Sequence, residues 1–518
     1  MAEIEINGYS LCLEKFEKLV FADNSVKIQE KAWENIENSF SFLKNFSKDK
    51  LIYGINTGFG PMAVYRIDDQ ALNQLQYNLV RSHSSGMGGY QDEIYCKAIL
   101  VTELHSLIRS YSGVSKDLII CFQEMLKNKI YPCIPKHGGV GASGDLVQLA
   151  HLALAVIGEG EVYDGSEIKA AAKAFEEKGI KPFKIELREG ISMMNGTAGM
   201  TGIAAINLIQ GFRACEWSLM FSCMINEMVE VYDDHLSVQL NRAKRHSGQN
   251  KIAEIARDIL DGSDLLRSRE KDLYERKVSE RFLDHKVQEF YSLRCIPQIL
   301  GPILDTLTYA QGVVEDELNS TSDNPVIDWQ ENNVFHGGNF HGDYISLEMD
   351  KIKLALVRLS MLSERQINYL LNHKINEKLA PFVNMGTLGL NFGMQGMQFT
   401  ATSTTAENQA LSSSVYVHSI PNNNDNQDIV SMGSNAATIV SKVIDNTFEV
   451  LSIQALTIAQ AIDQLKIYDR MSPKTKIIYD KIRSLVPPYV EDRASFKEQN
   501  EIKRYLKETP LNILKRQS

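Results

Sequence analysis

The chain has 518 residues, and its 55 Lys and Arg against 65 Asp and Glu give a formal net charge of −10. Hydrophobic residues make up 44% of the sequence, which is enough for a large core and excludes global disorder. A pI near 5.7 argues against a nucleic-acid partner, because neutralising phosphates requires a positive field. The length favours about three structural units.

The cysteines and the N-terminus bear on the compartment. Seven scattered cysteines without a C-x-x-C pair predict buried thiols rather than a disulfide framework or a zinc site. The acidic start, Met1–Glu5, has no apolar stretch behind it, so no secretory signal is predicted. The longest apolar run, residues 146–157, is shorter than the about 20 residues that a membrane span needs. We therefore expect a cytoplasmic protein without a membrane partner.

The predicted elements, in chain order, are mainly helices. Residues 146–157 predict a helix that ends at Gly158. Residues 202–232 are apolar nearly all round, which indicates a buried helix, and 347–372 and 440–465 carry apolar residues at spacings of three and four. The short strand candidates, which fit only small hairpins, are Glu161–Tyr163, Lys184–Glu186 and Val334–Phe335.

These elements predict a mainly α fold, an elongated bundle of long helices with small β-hairpins. Helices with such wide apolar stripes should bury part of their surface against other subunits, so a homo-oligomer is expected. The charged stretch 267–281 is expected to be a solvated helix or a mobile lid, and 489–518 a solvated helical end.

Three loops rich in Gly or Asn interrupt the helical pattern, at residues 53–60, 137–145 and 419–428. Long loops of this kind within a helical body are more often functional than not. The second loop matches the G-x-G-x-x-G dinucleotide fingerprint, which requires a buried strand immediately upstream. The upstream segment, residues 130–136, contains two prolines that cannot sit in a central strand, so a dinucleotide site is rejected.

Ala142, Ser143 and Gly144 lie just before the helix predicted at 146–157. The simplest interpretation makes Ser143 or Asp145 an ordinary helix N-cap. In a compressed turn, however, the amide nitrogen of Gly144 can attack the carbonyl of Ala142, because glycine has no side chain to obstruct it. Loss of water closes an imidazolone ring, and elimination of the Ser143 hydroxyl as a second water leaves an exocyclic methylidene. The product, 4-methylidene-imidazol-5-one (MIO), is a strong electrophile.

At these residues the sequence resembles the histidine, phenylalanine and tyrosine ammonia-lyase family, whose hallmark is this A-S-G-D-L run. The resemblance extends over nearly the whole chain through motifs at 53–60, 195–197, 291–294, 319–325, 338–341 and 426–428. It implies a histidine ammonia-lyase-like fold and a homotetramer with active sites built from three subunits. It also implies an MIO-bearing N-terminal domain at 1–200, followed by a long-helix bundle and C-terminal helical region at 201–518.

The resemblance also implies roles for single residues. Ala142, Ser143 and Gly144 would form MIO autocatalytically, with no external cofactor, and Tyr53 would remove a β-proton from the substrate. Asn195 would hold the MIO carbonyl oxygen. Further matches to substrate-pocket residues are Gly60, Gln288, Tyr291, Arg294, Asn319, Phe340 and Asn423.

Chemistry supports two of these roles independently. The planar guanidinium of Arg294 suits a carboxylate, because it can bond both oxygens. A phenol ionises only near pH 10, so Tyr53 could act as a base only with nearby donors or positive potential. Taken singly, each residue has a simpler interpretation. Tyr53 could be a buried structural tyrosine, and Arg294 could form an ion pair on a helix surface.

Two positions bear on the substrate. His83 falls at the family's ring-recognition position, where a histidine can bond a phenol and phenylalanine-specific members usually carry an apolar residue. Its simpler interpretation is a solvent-facing loop histidine, and histidine lyases also carry histidine there. Gln427 stands where histidine-specific members have glutamate. Together the two positions favour tyrosine.

The sequence therefore predicts an ammonia-lyase that converts L-tyrosine to trans-p-coumarate and ammonia. The alternatives are a histidine ammonia-lyase that forms urocanate, a tyrosine 2,3-aminomutase, and a non-catalytic helical oligomer with an uncyclised Ala-Ser-Gly turn. No metal site is predicted, because His336 and His341 flank a glycine loop with a spacing unlike that of zinc motifs.

Overall fold

The structure, a computed structural model, describes residues 3–165, 167–275, 281–282 and 286–514. The helices of the N-terminal part are α1 (Leu13–Phe21), α2 (Glu30–Phe46), α3 (Leu72–His83), α4 (Glu93–Leu107), α5 (Lys116–Lys127), α6 (Leu146–Val156), α7 (Ala171–Lys178) and α8 (Glu189–Ser192). The helices that follow are α9 (Ala198–Met228), α10 (Val238–Arg242), α11 (Ser247–Leu260), α12 (Tyr291–Arg294), α13 (Ile296–Leu318), α14 (Asp343–Leu371), α15 (His373–Asn376), α16 (Gln395–Ala410), α17 (Gly433–Leu465), α18 (Pro473–Leu485) and α19 (Phe496–Glu508).

The strands are short and lie in small separate sheets. They are β1 (Glu3–Ile6), β2 (Ser25–Ile28), β3 (Met87–Tyr90), β4 (Ile130–Pro132), β5 (Pro135–His137), β6 (Glu161–Asp164), β7 (Glu167–Ala170), β8 (Val326–Asp328) and β9 (Asn333–Phe335). β1 pairs with β2 in parallel, whereas β3–β5, β4–β6, β6–β7 and β8–β9 pair antiparallel.

Three long helices form the centre of the molecule, and all three were predicted. α9 packs against α4, α13, α14 and α17, so every one of its residues is buried, as its all-round apolar sequence indicates. α14 and α17 pack along each other with their apolar stripes facing inward. One continuous buried cluster includes residues from Ile6 to Leu514. The domain boundary at residue 200 stays a prediction.

The hairpin candidates gave mixed results. Strands at β6 and β9 are confirmed, but Lys184–Glu186 lies in an extended loop, so the strand predicted there is wrong. β4 is an edge strand of the sheet ordered β4-β6-β7, which is where a strand containing Pro132 can lie. The strand directly before the glycine loop is β5, which pairs antiparallel with β3. This arrangement is not the buried parallel strand that a dinucleotide fingerprint requires.

The charged stretches also differ from expectation. α19 buries Ile502 and Leu506 and packs against α17 and α9, so it is not merely a solvated end. Within 267–281, residues Glu270–Tyr274 form a π-helical turn, while 276–280 lie outside the described residues. All seven cysteine thiols are free; five are buried, as predicted, whereas Cys12 and Cys295 are partly exposed. No helix in the described part of the chain is long and apolar enough to cross a membrane.

Candidate active site

Ser143 lies in a very tight turn immediately before α6. Ser143 has φ 57° and Gly144 has φ 74°, both in the left-handed region that costs a non-glycine residue about 1–2 kcal/mol. Gly144 forms a β-bridge with Gly196, and a β-carbon on Gly144 would lie 2.6 Å from the Gly196 amide nitrogen and overlap its carbonyl. Only glycine therefore fits at position 144, and the loop after Asn195 lies directly against the turn.

Asp145 joins this turn to two further helices. It occupies the N-cap position of α6, but its side chain makes no capping bond there, so the ordinary N-cap interpretation is wrong. One carboxylate oxygen instead accepts from the Met200 amide in the first turn of α9, at 2.6 Å. The other accepts from the Ser434 hydroxyl at the start of α17. Burial raises the pKa of Asp145 to about 6, although these hydrogen bonds oppose the shift.

Asn195 holds the Ser143 carbonyl, the contact that the sequence predicted. Its side-chain NH₂ donates to the Ser143 oxygen at 2.9 Å, and its Oδ1 accepts from the Asn324 backbone N–H at 2.8 Å. Because a backbone N–H can only donate, Oδ1 must face Asn324, which fixes the orientation of the amide. Asn324 lies in the motif at 319–325, but no local pattern predicted that it would contact Asn195.

The third glycine- and asparagine-rich loop closes over the turn. Gln427 donates from Nε2 to the Ser143 hydroxyl oxygen at 3.1 Å, and its backbone pairs with that of Asn422. Asn423 next to that pair lies against Gly60, whose φ is 53°; a β-carbon on Gly60 would be 2.7 Å from the Asn423 Nδ2. The first and third loops therefore contact each other within one chain, and the third loop reaches Ser143.

Tyr53 is connected to the same cluster. Its hydroxyl oxygen accepts from the Gly60 backbone N–H at 3.2 Å, a donor that would stabilise negative charge on that oxygen. The Gln76 side chain then anchors the loop, because it donates to the Gly54 carbonyl at 3.1 Å and accepts from the Ile191 amide at 3.0 Å. The base candidate is thus tied to the segment that leads into Asn195.

His83 is the half-buried last residue of α3. Its Nδ1 lies 3.0 Å from the Leu79 carbonyl oxygen. The Ser82 hydroxyl lies at the same distance from Nδ1. Because a carbonyl only accepts, the contact with Leu79 favours the tautomer with its proton on Nδ1, which would leave Nε2 as an acceptor. The loop after His83 is held by the Gly86 amide, which donates to Nε2 of His151 on α6 at 3.1 Å. The helix that begins next to Ser143 therefore also supports the His83 loop.

A second group of predicted residues lies apart from this cluster. Gln288 and Tyr291 line a cavity of about 630 Å³, and the Tyr291 side chain is 70% exposed. Arg294 stacks its guanidinium 4.8 Å from the centre of the Tyr291 ring and donates from Nε to the Glu289 backbone carbonyl at 2.9 Å. In the described part of one chain, no contact joins this group to Ser143.

Phe340 lies in a loop that reaches the turn from another side. The backbone of this loop approaches through Gly342, whose amide donates to the Gly141 carbonyl at 3.4 Å. His341 adds a contact between its Nε2 and the Ile429 carbonyl at 3.3 Å. The Phe340 side chain is half-buried beside these contacts.

The Asn319 side chain makes contacts away from the Ser143 cluster, and its role in substrate binding stays a prediction. Its side-chain NH₂ donates to the carbonyls of Leu11 and Glu315 at 3.0 and 2.7 Å, and its oxygen accepts from the Leu11 amide at 2.8 Å. These bonds tie Asn319 to the N-terminal segment. The asparagine of the same motif that reaches the Ser143 cluster is Asn324, five residues later.

Residues 11–484 match the family described as aromatic amino acid lyase. The chain belongs to this family. It is therefore an enzyme of the ammonia-lyase and aminomutase class, which acts on small aromatic amino acids.

Relatives and solved structures agree with this membership. An MIO-dependent tyrosine 2,3-aminomutase from Streptomyces globisporus is 34% identical over 499 residues, 95% of this chain and 92% of the relative. A histidine ammonia-lyase from Geobacillus thermodenitrificans is 33% identical over 506 residues, 98% of this chain and 97% of the relative. The crystal structure of the tyrosine aminomutase from Streptomyces globisporus has a TM-score of 0.93 at 31% identity and covers 98% of this chain and 97% of that one. The expected mainly α, histidine ammonia-lyase-like fold is confirmed.

The residues of this family member fit an MIO group at positions 142–144. The turn is compressed against Gly196, which excludes a side chain at 144, and Ala142 is buried. The Asn195 amide already donates to the carbonyl that would become part of the ring. Within the described residues, no group of three His, Cys, Asp or Glu could hold a metal ion.

Proposed function

We propose that this enzyme eliminates ammonia from L-tyrosine to give trans-p-coumarate, with an MIO group formed autocatalytically from Ala142, Ser143 and Gly144. The observation that carries the proposal is that Asn195 and Gln427 both bond to Ser143 within one chain. Tyr53 is linked to them through Gly60, which lies against Asn423 in the loop that carries Gln427. In the reaction the Cα–N and one Cβ–H bond break and a Cα=Cβ double bond forms. When present, MIO is the electrophile that makes ammonia easier to expel.

The chain's own residues supply the other steps. The Tyr53 oxygen receives the β-proton, helped by the Gly60 N–H that points at it. The Asn195 NH₂ stabilises negative charge on the carbonyl oxygen of residue 143, a fixed donor of the kind found in oxyanion holes. Arg294, presented beside Tyr291, binds the substrate carboxylate through two parallel N–H groups.

His83 and Gln427 support tyrosine as the substrate. An acceptor at His83 Nε2 matches the phenol hydroxyl of tyrosine, which phenylalanine lacks. The Gln427 side chain is neutral and donates to Ser143, so it does not provide the carboxylate that an imidazole substrate would favour.

We further propose a homotetramer whose active sites combine residues from three subunits. Gln288 and Tyr291 line a cavity separate from the Ser143 cluster, and Arg294 stacks on Tyr291, so a complete site requires another copy of the chain. Tyr344, Leu347 and Leu354 are exposed along one side of α14, which is expected of a helix that packs against a partner.

The second candidate is a tyrosine 2,3-aminomutase, which is favoured by the name of the relative from Streptomyces globisporus. The two activities share the elimination step. They differ in whether ammonia adds back to Cβ before the product leaves the site.

The test is to incubate the purified protein with L-tyrosine, L-phenylalanine and L-histidine. Ultraviolet absorbance would detect coumarate, cinnamate or urocanate, and chromatography would detect a β-amino acid. Coumarate as the main product supports the lyase, β-tyrosine the aminomutase, and urocanate a histidine lyase. Absence of turnover with all three would refute the proposal.

Intact mass tests the MIO group separately. The wild-type chain should be about 36 Da lighter than its sequence requires, because two waters are lost. Ser143→Ala should abolish both this loss and turnover. Ser110→Ala is the matched control, since Ser110 is also a left-handed serine, with φ 65°, and should keep both.

A further inference from the structure

A buried ion pair lies behind Asn195. Arg188 has no exposed surface, and its two terminal nitrogens donate to the two carboxylate oxygens of Asp323 at 2.7 and 2.8 Å. The same nitrogens also donate to the backbone carbonyls of Ser112 and Asn324, at 2.9 and 3.0 Å. Three of these four hydrogen bonds hold the segment that contains Asp323 and Asn324, and the fourth ties Arg188 to Ser112.

Burying such a pair contributes little net stability, because desolvation offsets the attraction between the charges. What the pair does achieve is a fixed backbone. Asp323 Oδ1 accepts from the Asn324 amide at 2.7 Å, and the same amide donates to Asn195 Oδ1 at 2.8 Å. Asn195 in turn donates to Ser143 at 2.9 Å.

The neighbouring residue adds a parallel contact. The Ser322 hydroxyl accepts from the Thr197 amide at 3.1 Å, so two points of the 322–324 segment hold two points of the 195–197 loop. Because the two contacts are separate, the 195–197 loop can neither slide along the 322–324 segment nor rotate about a single bond. It leaves the Asn195 amide no freedom to turn its oxygen toward Ser143.

We infer that Arg188 and Asp323 are positioning residues for the reaction, because they hold the Asn324 N–H that orients the Asn195 amide toward the Ser143 carbonyl. The inference rests on the proposed MIO-dependent function. Neither side chain needs to touch the substrate. Their effect passes through Asn324 and Asn195 to the carbonyl whose negative charge the reaction must stabilise.

The variants Arg188→Gln and Arg188→Lys test the inference, with Arg483→Gln as matched control. Arg483 forms an ion pair with Asp463 at 2.7 Å, and the two side chains are 11% and 13% exposed. Asp463 lies about 40 Å along α17 from Ser434, so this pair is far from the Ser143 turn. Three quantities are measured: urea stability, the fraction of chains lacking two waters, and kcat and KM for L-tyrosine per modified chain.

We expect Arg188→Gln to reduce either the modified fraction or kcat per modified chain by about a hundredfold, the effect of losing an oriented oxyanion donor. KM should change less than about threefold. Arg483→Gln should change stability but neither the modification nor kcat. Arg188→Lys should recover part of the loss, because an ammonium reaches Asp323 but cannot bond both oxygens and both carbonyls.

A double-mutant cycle separates positioning from general structural support. In an Asn195→Ala background, Arg188→Gln should cause no further loss of kcat, because the residue through which it acts is gone. Equal losses in both backgrounds would overturn the inference, as would a fully modified Arg188→Gln enzyme with wild-type kcat. If Arg188→Gln does not fold, Asp323→Asn, which keeps the side-chain volume, is judged by the same criteria.

The wild-type protein distinguishes the two levels of failure. A wild-type chain without the mass loss and without turnover would refute the proposed function and the inference together. A modified, active wild type whose Arg188 and Asp323 variants behave like Arg483→Gln would refute only the inference.

Discussion

The close contact between Gly144 and Gly196 leads to a quantitative prediction for Gly144→Ala. Alanine in the left-handed region costs about 1–2 kcal/mol by itself. Here its β-carbon would also meet the Gly196 backbone, which cannot rotate aside, so the bridge between the two glycines must open. Opening it breaks the 2.8 Å hydrogen bond from the Asp145 amide to the Gly196 carbonyl and displaces Asn195 from Ser143.

Each of those two hydrogen bonds contributes about 1 kcal/mol. The total loss of unfolding free energy for Gly144→Ala is therefore about 3–4 kcal/mol. Gly179→Ala is the matched control, because Gly179 has φ 70° and nothing within 4 Å of its added β-carbon. It should lose only about 1–2 kcal/mol.

The assay combines urea denaturation at fixed protein concentration with intact mass. Gly179→Ala should show the loss of two waters, whereas Gly144→Ala should not, because its turn can no longer bring the amide of residue 144 against the carbonyl of Ala142. Gly196→Ala should be milder, since its β-carbon meets the rotatable Ser322 hydroxyl at 2.7 Å. A Gly144→Ala chain that is modified and no less stable than Gly179→Ala would refute the reasoning.

Three further predictions concern substrate choice and pH. His83→Phe should lower the preference for tyrosine over phenylalanine about 10- to 100-fold in kcat/KM; an unchanged ratio would contradict the role of Nε2. Gln427→Glu should raise the kcat/KM ratio of histidine to tyrosine about tenfold, measured as urocanate against coumarate formation. Burial raises the pKa of Glu189 from 4.5 to about 7, so its contribution to stability is present below about pH 4.5 and is lost as the pH rises through 7. Between pH 4.5 and 7 the wild type should lose about 3 kcal/mol of unfolding free energy relative to Glu189→Gln, measured by urea titration at each pH. Parallel pH profiles for the two proteins would contradict a raised pKa of Glu189.

The long helices could be predicted from the sequence because their apolar stripes repeat over many turns. α9, α14 and α17 each exceed 28 residues, so a few irregular positions do not hide the period. Short extended segments carry much less information. The buried Phe183 and Ile185 alternate with the exposed residues Pro182, Lys184 and Glu186, as in a strand, yet the segment has no partner strand among the described residues and remains a loop.

The candidate site shows the same limit at the level of single residues. Motifs identified Ser143, Asn195 and Gln427, because their chemistry is tied to a short pattern. They did not distinguish Asn319 from Asn324, since the two differ only in which one the folded backbone turns toward Asn195. The pairing of Arg188 with Asp323 joins residues 135 positions apart, and no local pattern encodes such a contact.

The position of the loops explains why the turn suits an electrophile. α6 begins just after Gly144, α9 just after Asn195 and Thr197, and α17 after the loop that carries Gln427. Three helix N-termini therefore lie near Ser143, and the positive ends of their dipoles contribute positive potential there. Asp145 neutralises part of that potential by accepting from the starts of α9 and α17, while the Ser143 carbonyl stays open to Asn195. In the proposed reaction this arrangement would stabilise negative charge at residue 143 whichever amino acid reacts. A preference for tyrosine over histidine would therefore come from side chains that meet the substrate ring, for which His83 and Gln427 are the proposed candidates.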